Sequence, residues 1–426
     1  MNGYFNLGYS FDDRYLMDFS LRENGSSVFG ASKRYIGTWS VGLGWNLHKE
    51  RFIADHLTWI DFLKLRASIG NPGNQNFSSS KTLTTFNFQL ASMNYFGMGA
   101  VLNQLGNPDL DWQITLDKNI GIDMILIDKR LNITADYYHK VTDPLLINIS
   151  MPLSSGTSSY LTNMGKQISQ GLTLSASYYI IQKLDQRFSW LVRGNLRTQK
   201  TKLDKIGNKL DELNKSGQGH NTVRYYNGAD PDDIWAVKSA GIDPSTGREL
   251  FYDKEGNYTY DFSYDNEVIC GNTRPKIEGV IGTSLNYKGF SVSMNFRYQT
   301  GASVFNEALF NKVENISVSG LNKNQDKRAL YERWQNPGDK VRFKDIANAA
   351  STPMSSRFIQ KENVLSMESV YVGYEFYEGW IKKIGLSNLK IQASMRDVFR
   401  ASTIKSERGT LYPFARSLEL GLSFNF

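Results

Sequence analysis

Apolar and polar residues alternate along most of this chain. Between residues 414 and 426, apolar side chains take every second position from Leu418 to Phe426, and Glu419 and Ser423 lie between them. Residues 290–298 repeat the pattern. Because successive side chains of a strand point to opposite faces, this period of two predicts two-faced strands.

The number and length of these segments indicate the fold class. Counting along the chain gives about thirteen strands, many of about ten residues or more, whereas a usual strand has about 5–6. Long strands with one apolar and one polar face are typical of barrels that span a membrane. The sequence therefore predicts an all-β protein with a transmembrane antiparallel β-barrel. A soluble sandwich or propeller is the alternative, although such folds use shorter strands.

The connections between the predicted strands fall into two classes. If strand directions alternate, the short turns lie on one side and the long connections on the other, as in outer-membrane barrels with short periplasmic turns and long extracellular loops. The short turns are residues 11–14, 127–130, 182–186 and 287–289. The long connections are residues 71–112, 141–164, 202–276 and 302–360. Two connections on the periplasmic side, residues 48–59 and 378–387, are longer than this scheme expects.

The polar face of the predicted strands carries many charged residues. In a barrel the apolar face meets lipid and the polar face meets water, so these side chains are expected to line the lumen and to suit a polar solute. They are Asp18, Arg22, Lys64, Arg66, Asp117, Asp123, Asp136, Arg193, Arg197, Glu278, Arg297, Lys390 and Glu419.

Composition agrees with this prediction and excludes several classes. The 426 residues include 23 Tyr, 24 Phe, 8 Trp and 36 Gly, which favours strands joined by turns. With one cysteine, Cys270, the chain has no internal disulfide and no multi-cysteine zinc site. No window approaches the roughly 18 apolar residues of a spanning helix, and the N-terminal residues show no signal-peptide pattern. The net charge of +7 is modest, and we expect no nucleic-acid partner.

The sequence offers no catalytic motif. None of the four histidines, His48, His56, His139 and His220, has zincin or zinc-finger spacing, and no nucleophile-elbow or P-loop sequence is present. We therefore expect no enzyme activity, no cofactor and no metal. Asp230, Asp232 and Asp233 are an alternative site for Ca²⁺, but they lack the EF-hand spacing, and Asp beside Gly more often forms turns.

Aromatic residues on the long connections are the candidates for contact with a substrate or a covering protein. Their faces can stack on sugar rings or peptide side chains, and packing within the loops is the alternative for each of them. They are Tyr95, Phe96, Tyr160, Trp235, Tyr331 and Trp334. The terminal Phe426 has a separate candidate role as a barrel-assembly signal, with a lipid-facing Phe as the alternative.

Separated blocks of the sequence resemble SusC/RagA-type TonB-dependent outer-membrane transporters. The blocks are RYLMDFSLRENGSSVFG from Arg14, KLRASIGNPGNQ from Lys64, NPDLDWQITLDKNIGIDMILIDKRLNITADYYHKVTDPLL from Asn107, NMGKQISQGLTLS from Asn163, GIDPSTGRELFYDKEGN from Gly241 and SERGTLYPFARSLELGLSFNF from Ser406. They follow the family's order and cover essentially the whole chain. The chain departs from the family pattern at Asn24, where Asp is usual, and in MRDVF from Met395.

The resemblance implies that residues 1–426 are the C-terminal part of a larger barrel. Family members close with about twenty-two strands around a plug. The signal peptide, the carboxypeptidase-regulatory-like domain, the TonB box and the plug are therefore expected outside this sequence. About thirteen strands would leave two unpaired edges, which are costly in hydrocarbon.

The implied function is nutrient uptake. By resemblance, the full-length protein imports an oligosaccharide or peptide across the outer membrane of a Gram-negative, Bacteroidetes-like bacterium. Its implied partners are a SusD-like surface lipoprotein, the TonB complex through the missing N-terminal region, the barrel-assembly machinery and outer-membrane lipid. The sequence leaves open a plugless passive pore, a non-functional gene fragment and a soluble β-rich binding protein, and it does not distinguish glycan from peptide.

Overall fold

The computed structural model describes residues 2–26, 33–74, 82–151, 156–157, 159–183, 185–207, 210–316, 320, 322–348, 350–405 and 416–426. The chain divides into two compact units. Unit 1 contains Met1–Gln182, Leu191–Leu213 and Tyr225–Asp230, and unit 2 contains Lys183–Trp190, Asn214–Arg224 and Pro231–Phe426.

Strands dominate both units. They are β1 (Asn2–Phe11), β2 (Tyr15–Gly25), β3 (Tyr35–Asn46), β4 (Ile60–Gly70), β5 (Gly73–Asn74), β6 (Thr85–Asn94), β7 (Gly97–Gln104), β8 (Gln113–Leu126), β9 (Leu131–Thr142), β10 (Leu146–Ser150), β11 (Ser159–Asn163), β12 (Lys166–Lys183), β13 (Phe188–Asp204), β14 (Asp233–Val237), β15 (Ser239–Ile242), β16 (Glu249–Tyr252), β17 (Tyr258–Thr259), β18 (Glu267–Asn272), β19 (Ile277–Tyr287), β20 (Phe290–Phe305), β21 (Ile359–Phe376), β22 (Asn388–Ser402) and β23 (Leu418–Asn425).

Helices are short and lie between the strands. The α-helices are α1 (Arg51–Ala54), α2 (Asp211–Gly217), α3 (Arg328–Tyr331) and α4 (Trp380–Lys383). One π-helical segment covers Leu309–Glu314, and 3₁₀ turns cover Leu47–Lys49, Tyr264–Asn266 and Ser356–Phe358. Among the described residues, no helix has the length and apolar character needed to cross a membrane.

Unit 1 contains eight neighbouring long strands in the order β1-β2-β3-β4-β8-β9-β12-β13. Their register places apolar side chains on one face and polar side chains on the other. One row across seven strands is Tyr9, Met17, Leu43, Ala67, Ile120, Tyr137 and Leu172. Most of these side chains are exposed, as Ile120 is to 65% and Tyr9 to 60%. An exposed apolar face of this breadth suits contact with lipid.

Unit 2 contains the other five long strands, in the order β19-β20-β21-β22-β23. Each neighbouring pair is antiparallel, with β-bulges between β20 and β21 and between β21 and β22. The prediction of about thirteen long strands is thus confirmed, with eight in unit 1 and five in unit 2. In the described part of the chain β1 pairs only with β2, and β23 only with β22, so one edge of each is open.

The observed connections confirm the two predicted classes. Three or four residues separate β1 from β2 and β8 from β9, and two separate β19 from β20. The two longer connections on the side of the short turns contain α1 and α4, which accounts for their length. The last predicted strand is observed as β23, and its expected start at Phe414 lies outside the described residues.

The long connections contain small sheets and cores of their own. The pairs β6-β7 and β10-β11 lie in unit 1, and the pair β14-β18 and the three strands β15-β16-β17 lie in unit 2. One buried cluster in unit 1 contains Leu145, Met164, Leu203, Ile206 and Leu210. Another in unit 2 contains Leu309, Val313, Ala329, Phe343 and Phe358. The loops are therefore packed structures built on the strand ends.

Candidate functional site

The face of unit 1 opposite the apolar row is polar. The same register gives a row of Asn6, Ser20, Ser40, Gly70, Asp117, Lys140 and Ser169. The next row is Gly8, Asp18, Gly42, Ser68, Asn119, Tyr138 and Gly171. Hydroxyls, amides and charges alternate with glycine, so this face offers donors and acceptors to a polar solute.

Two cavities lie on this polar face. The larger, about 970 Å³, is lined by side chains that include Asn6, Arg22, Arg66 and Asp117. The second, about 680 Å³, shares Asp117 and is lined also by Lys140, Gln167 and Arg197. Both volumes fall in the range of sites that hold organic ligands. Of the charged residues predicted for the lumen, Arg22, Arg66, Asp117 and Arg197 line these cavities.

Arg66 connects three strands on the polar face. Its guanidinium donates to Asp123 on β8 at 2.6 and 3.1 Å, and to Asp136 on β9 at 3.0 Å. Gly121 lies opposite both Arg66 and Asp136 in the register. A Cβ at Gly121 would lie 2.3 Å from the Asp136 Oδ1 atom and 2.9 Å from the Arg66 Nη2 atom. Glycine is therefore needed for the guanidinium to reach across β8.

A second ion pair lies nearer the long connections. The Lys140 Nζ atom is 2.7 Å from the Asp117 Oδ2 atom, and these residues are directly opposite each other on β9 and β8. The Lys140 side chain is 44% exposed, so this pair presents charge to solvent. The polar face thus has both fixed charges and small neutral donors. Asn6, Ser20 and Asn119 also lie on this face, and they were not singled out from the sequence because only charged residues were selected there.

The long connections of unit 2 contain a buried ionic cluster. Arg357 donates to Glu249 at 2.8 Å and to Glu314 at 2.6 Å. Ser355 donates to Glu249 at 2.6 Å, and Thr352 donates to Glu314 at 2.9 Å. All three charged side chains are at least nine-tenths buried. The cluster joins β16, the π-helical segment and the residues that precede β21.

Burial and charge both act on Arg357. Burial alone would lower the pKa of the guanidinium, but the hydrogen bonds and charges of Glu249 and Glu314 raise it above its ordinary value. Arg357 is therefore a permanent cation that satisfies two buried carboxylates. The sequence pattern missed this cluster because its members lie in irregular segments, and Glu249 and Arg357 are 108 residues apart.

Comparison with protein families identifies the chain. Residues 2–322 match the family described as "TonB dependent receptor-like, beta-barrel". The chain belongs to this family. The two-faced strands, short turns and long loops described above are therefore those of a TonB-dependent receptor barrel, and the family is one of receptors and transporters of the outer membrane.

Curated relatives agree with this assignment. The chain is 27% identical to "TonB-dependent receptor P39" of Formosa agariphila, over 98% of the chain and 44% of that relative. It is 26% identical to "TonB-dependent receptor SusC" of Bacteroides thetaiotaomicron, over 99% of the chain and 43% of that relative. The chain thus spans less than half the length of these relatives.

Solved structures show the same fold. The structure of the RagAB peptide transporter matches 95% of the chain and 44% of its own chain, with a TM-score of 0.83 and 22% identity. The "open-open" state of the RagAB peptide importer matches all of the chain with a TM-score of 0.81. The resemblance to SusC/RagA-type receptors read from the sequence blocks is confirmed.

The predicted loop aromatics occupy different positions in this receptor barrel. Tyr95 and Phe96 lie at the tip between β6 and β7, where they are 96% and 92% exposed. Their ring centroids are 5.3 Å apart in a T-shaped arrangement. Tyr331 ends α3 and is also strongly exposed, whereas Tyr160 on β11 is half-buried. Tyr95, Phe96 and Tyr331 therefore offer the largest exposed aromatic surfaces of the set.

The two predicted tryptophans belong to the loop packing. The Trp334 indole donates to the Pro244 carbonyl at 2.8 Å, and its ring lies against Gly247. Gly247 has φ +69°, a conformation that favours glycine. Trp235 is half-buried and pairs with Ile269 between β14 and β18. Trp334 thus serves to hold two loop segments together, as the packing alternative expects.

The three aspartates considered for calcium have separate protein partners. Asp230 accepts from the Thr201 backbone at 3.1 Å, Asp233 accepts from Asn272 at 2.9 Å, and Asp232 pairs with Arg274. Across the described ranges, no group of three His, Cys, Asp or Glu side chains is placed to hold a metal ion. Each of these carboxylates thus contacts a neighbouring strand or loop residue.

Proposed function

We propose that the protein containing this chain imports an oligosaccharide or a peptide across the outer membrane, driven by TonB. Family membership carries the proposal, and the polar face of unit 1 supports it. Its hydroxyls, amides and paired charges can exchange hydrogen bonds with a polar solute without any covalent step. We propose accordingly that the protein is not an enzyme and that it lies in the outer membrane of a Bacteroidetes-like bacterium.

The lengths of the relatives support a larger assembly. Because the chain spans 44% of the first relative, we propose that it forms the C-terminal part of a longer barrel that also contains a plug and a TonB box. The proposed partners are a SusD-like surface lipoprotein on the long loops, the TonB complex and the barrel-assembly machinery. Phe426, 87% exposed and packed against Phe424, is the proposed assembly signal.

Uptake by intact cells tests the proposal. Deletion of the gene that encodes this chain should abolish uptake of one class in a panel of labelled oligosaccharides and peptides, and complementation should restore it. Affinity purification from the complemented strain should recover a surface lipoprotein. If uptake of every member of the panel is unchanged in the deletion strain, the proposal is wrong.

The exposed aromatic pair gives a sharper test of the loop assignment. Replacing Tyr95 and Phe96 together by Ala should weaken substrate or lipoprotein binding, since both rings are almost fully exposed and can stack on a bound partner. Phe52 on α1 is a matched control, because it is 58% exposed on the side of the short turns. Equal binding by the double variant and by Phe52→Ala would remove the pair from the proposed contact surface.

A further inference from the structure

Two buried cations in unit 2 have no carboxylate of their own. Arg333 is 6% exposed and Lys344 is 7% exposed. Within the described part of the chain, the Arg333 guanidinium donates to the carbonyls of Val313, Glu314 and Lys344, and the Lys344 ammonium donates to the Ala350 carbonyl. Both cations are therefore satisfied only by backbone dipoles.

The nearest buried carboxylate is already engaged. Glu314 accepts from Arg357 and Thr352 through Oε1, and from the Lys344 backbone N–H through Oε2 at 3.4 Å. Glu249, the other buried carboxylate of the cluster, accepts from Arg357. Three buried cations thus face two buried carboxylates. A buried charge without a counterion is costly, and a bound anion would relieve that cost.

A cavity of about 220 Å³ opens beside these cations. It is lined by Arg333, Lys344, Glu314, Asn315 and Ser351 together with Ile346. Ile346 is 53% exposed, so the cavity has an open mouth. Among the residues that the structure describes, the buried Arg333 Nε atom has no hydrogen-bond partner. The cavity therefore combines two cationic side chains with polar side chains in a space suited to one small group.

The surrounding structure is built to hold these groups in place. Glu314 ends the π-helical segment, and such segments are frequent at functional sites. Phe305, Phe310 and Phe358 pack around the segment with ring centroids 5.1–5.9 Å apart. Burial lowers the pKa of Lys344, as expected for a cation that lacks a counterion in this apolar setting.

We propose that this cavity binds a single oxyanion, either a free ion such as phosphate or the carboxylate, phosphate or sulfate of a larger solute. Arg333 and Lys344 supply the charge, and Ser351 supplies a neutral donor, whereas the Asn315 amide is held by Thr352 at the cavity wall. Arginine and lysine are the usual ligands of such groups because their N–H donors match the oxygen lone pairs.

The first test is titration of the purified, detergent-solubilised protein with inorganic phosphate by calorimetry. The wild type should bind in a buffer whose anion is chloride. Lys344→Met should weaken binding about tenfold, the equivalent of one charge-assisted hydrogen bond. Lys340→Met is the matched control, because Lys340 is an exposed lysine of the same loop, and it should bind as the wild type does.

Folding of the variant is checked in the same experiment. Because Met fills a similar volume and removes an uncompensated charge, Lys344→Met should be at least as resistant to heat as the wild type when phosphate is absent. A second variant, Lys344→Gln, keeps a donor without the charge and should give the same loss of affinity. The proposal is overturned if the wild type does not bind phosphate, or if Lys344→Met and Lys340→Met bind it equally.

A second arm distinguishes the two sources of the oxyanion. Short peptides with a free C-terminal carboxylate and their C-terminal amides are tested as competitors of phosphate. Competition by the free acids alone would assign the site to a carboxylate on a larger solute, and its absence would assign the site to phosphate or a similar oxyanion. Because phosphate titration does not require transport, failure of this proposal is distinguishable from failure of the proposed import function.

Discussion

Arg66 and Arg357 each bind two carboxylates, but they do so in different surroundings. The side chains of Arg66, Asp123 and Asp136 are 34%, 28% and 21% exposed, whereas those of Arg357 and Glu314 are 9% and 0% exposed. Solvent screens the first set and hardly reaches the second. The same chemistry therefore makes a polar surface in the barrel wall of unit 1 and a fixed link within the loops of unit 2.

The largest expected effect on stability is loss of the Arg357 ion pairs that link the loop segments of unit 2. Arg357→Met removes the cation that donates to both buried carboxylates, Glu249 and Glu314, and breaking a buried ion pair typically costs about 3–5 kcal/mol. Hydrogen exchange should show that residues 306–358 lose protection. Arg342→Met, which removes a cation that is 57% exposed in the same loop, is the control and should change protection little. Equal protection in both variants would mean that the buried cluster does not hold the loop.

The next largest loss of stability should come from a side chain added at Gly121 on β8. Gly121→Ala places a Cβ 2.3 Å from the Asp136 Oδ1 atom, and relief of such overlap costs about 1–3 kcal/mol. Gly8→Ala is the control, because its Cβ meets Asp18 at an ordinary 3.6 Å. Thermal unfolding of the two variants in detergent should differ clearly. Identical midpoints would show that the wall adapts and that Arg66 does not depend on this glycine.

Removal of Arg66 itself should matter less for stability. Because the pairs of Arg66 are partly exposed, Arg66→Met should lower the free energy of unfolding by about 1 kcal/mol or less. The difference in unfolding free energy between Arg66→Met and the wild type should shrink further in about 1 M salt, where charges are screened more strongly. A loss as large as that of Arg357→Met would contradict the contrast between wall and loop.

The smallest effect concerns an exposed loop carboxyl. Tyr260 and Ser245 donate to Asp243 and hold the pKa of its carboxyl at about 2. The folded loop binds fewer protons than the unfolded chain, so the contribution of Asp243 is present above pH ~3.9 and is lost as the pH falls toward 2. As the pH falls from ~3.9 toward 2, β15 and β16 should lose less hydrogen-exchange protection in Asp243→Asn than in the wild type. An equally steep loss in Asp243→Asn and in the control Asp261→Asn would refute the assignment.

The contrast between the barrel wall and the loops also explains which features could be predicted from the sequence. The strands, their two faces and the sides of their turns follow from local alternation, so the position of Asp117 on the polar face was expected. The position of Arg66 on the polar face was also predicted, although its reach across Gly121 was not. That reach depends on three strands being in register, which alternation alone does not specify.

The loop structure was the least predictable part. Arg333, Lys344 and Arg357 lie in segments without a period, where no pattern separates a buried cation from a solvated one. Their burial depends on contacts such as Glu249 with Arg357, 108 residues apart. The predicted aromatics on these loops were identified by residue type alone, and the structure separates the exposed Tyr331 from the packed Trp334.

Energy dependence of uptake tests the central proposal most directly. The measurement is the initial rate of uptake of the solute identified in the deletion experiment, in otherwise identical cells with and without TonB. We predict that uptake falls to the level of the deletion strain when TonB is absent. Uptake at the full rate without TonB would contradict the account and would identify the protein as a passive pore.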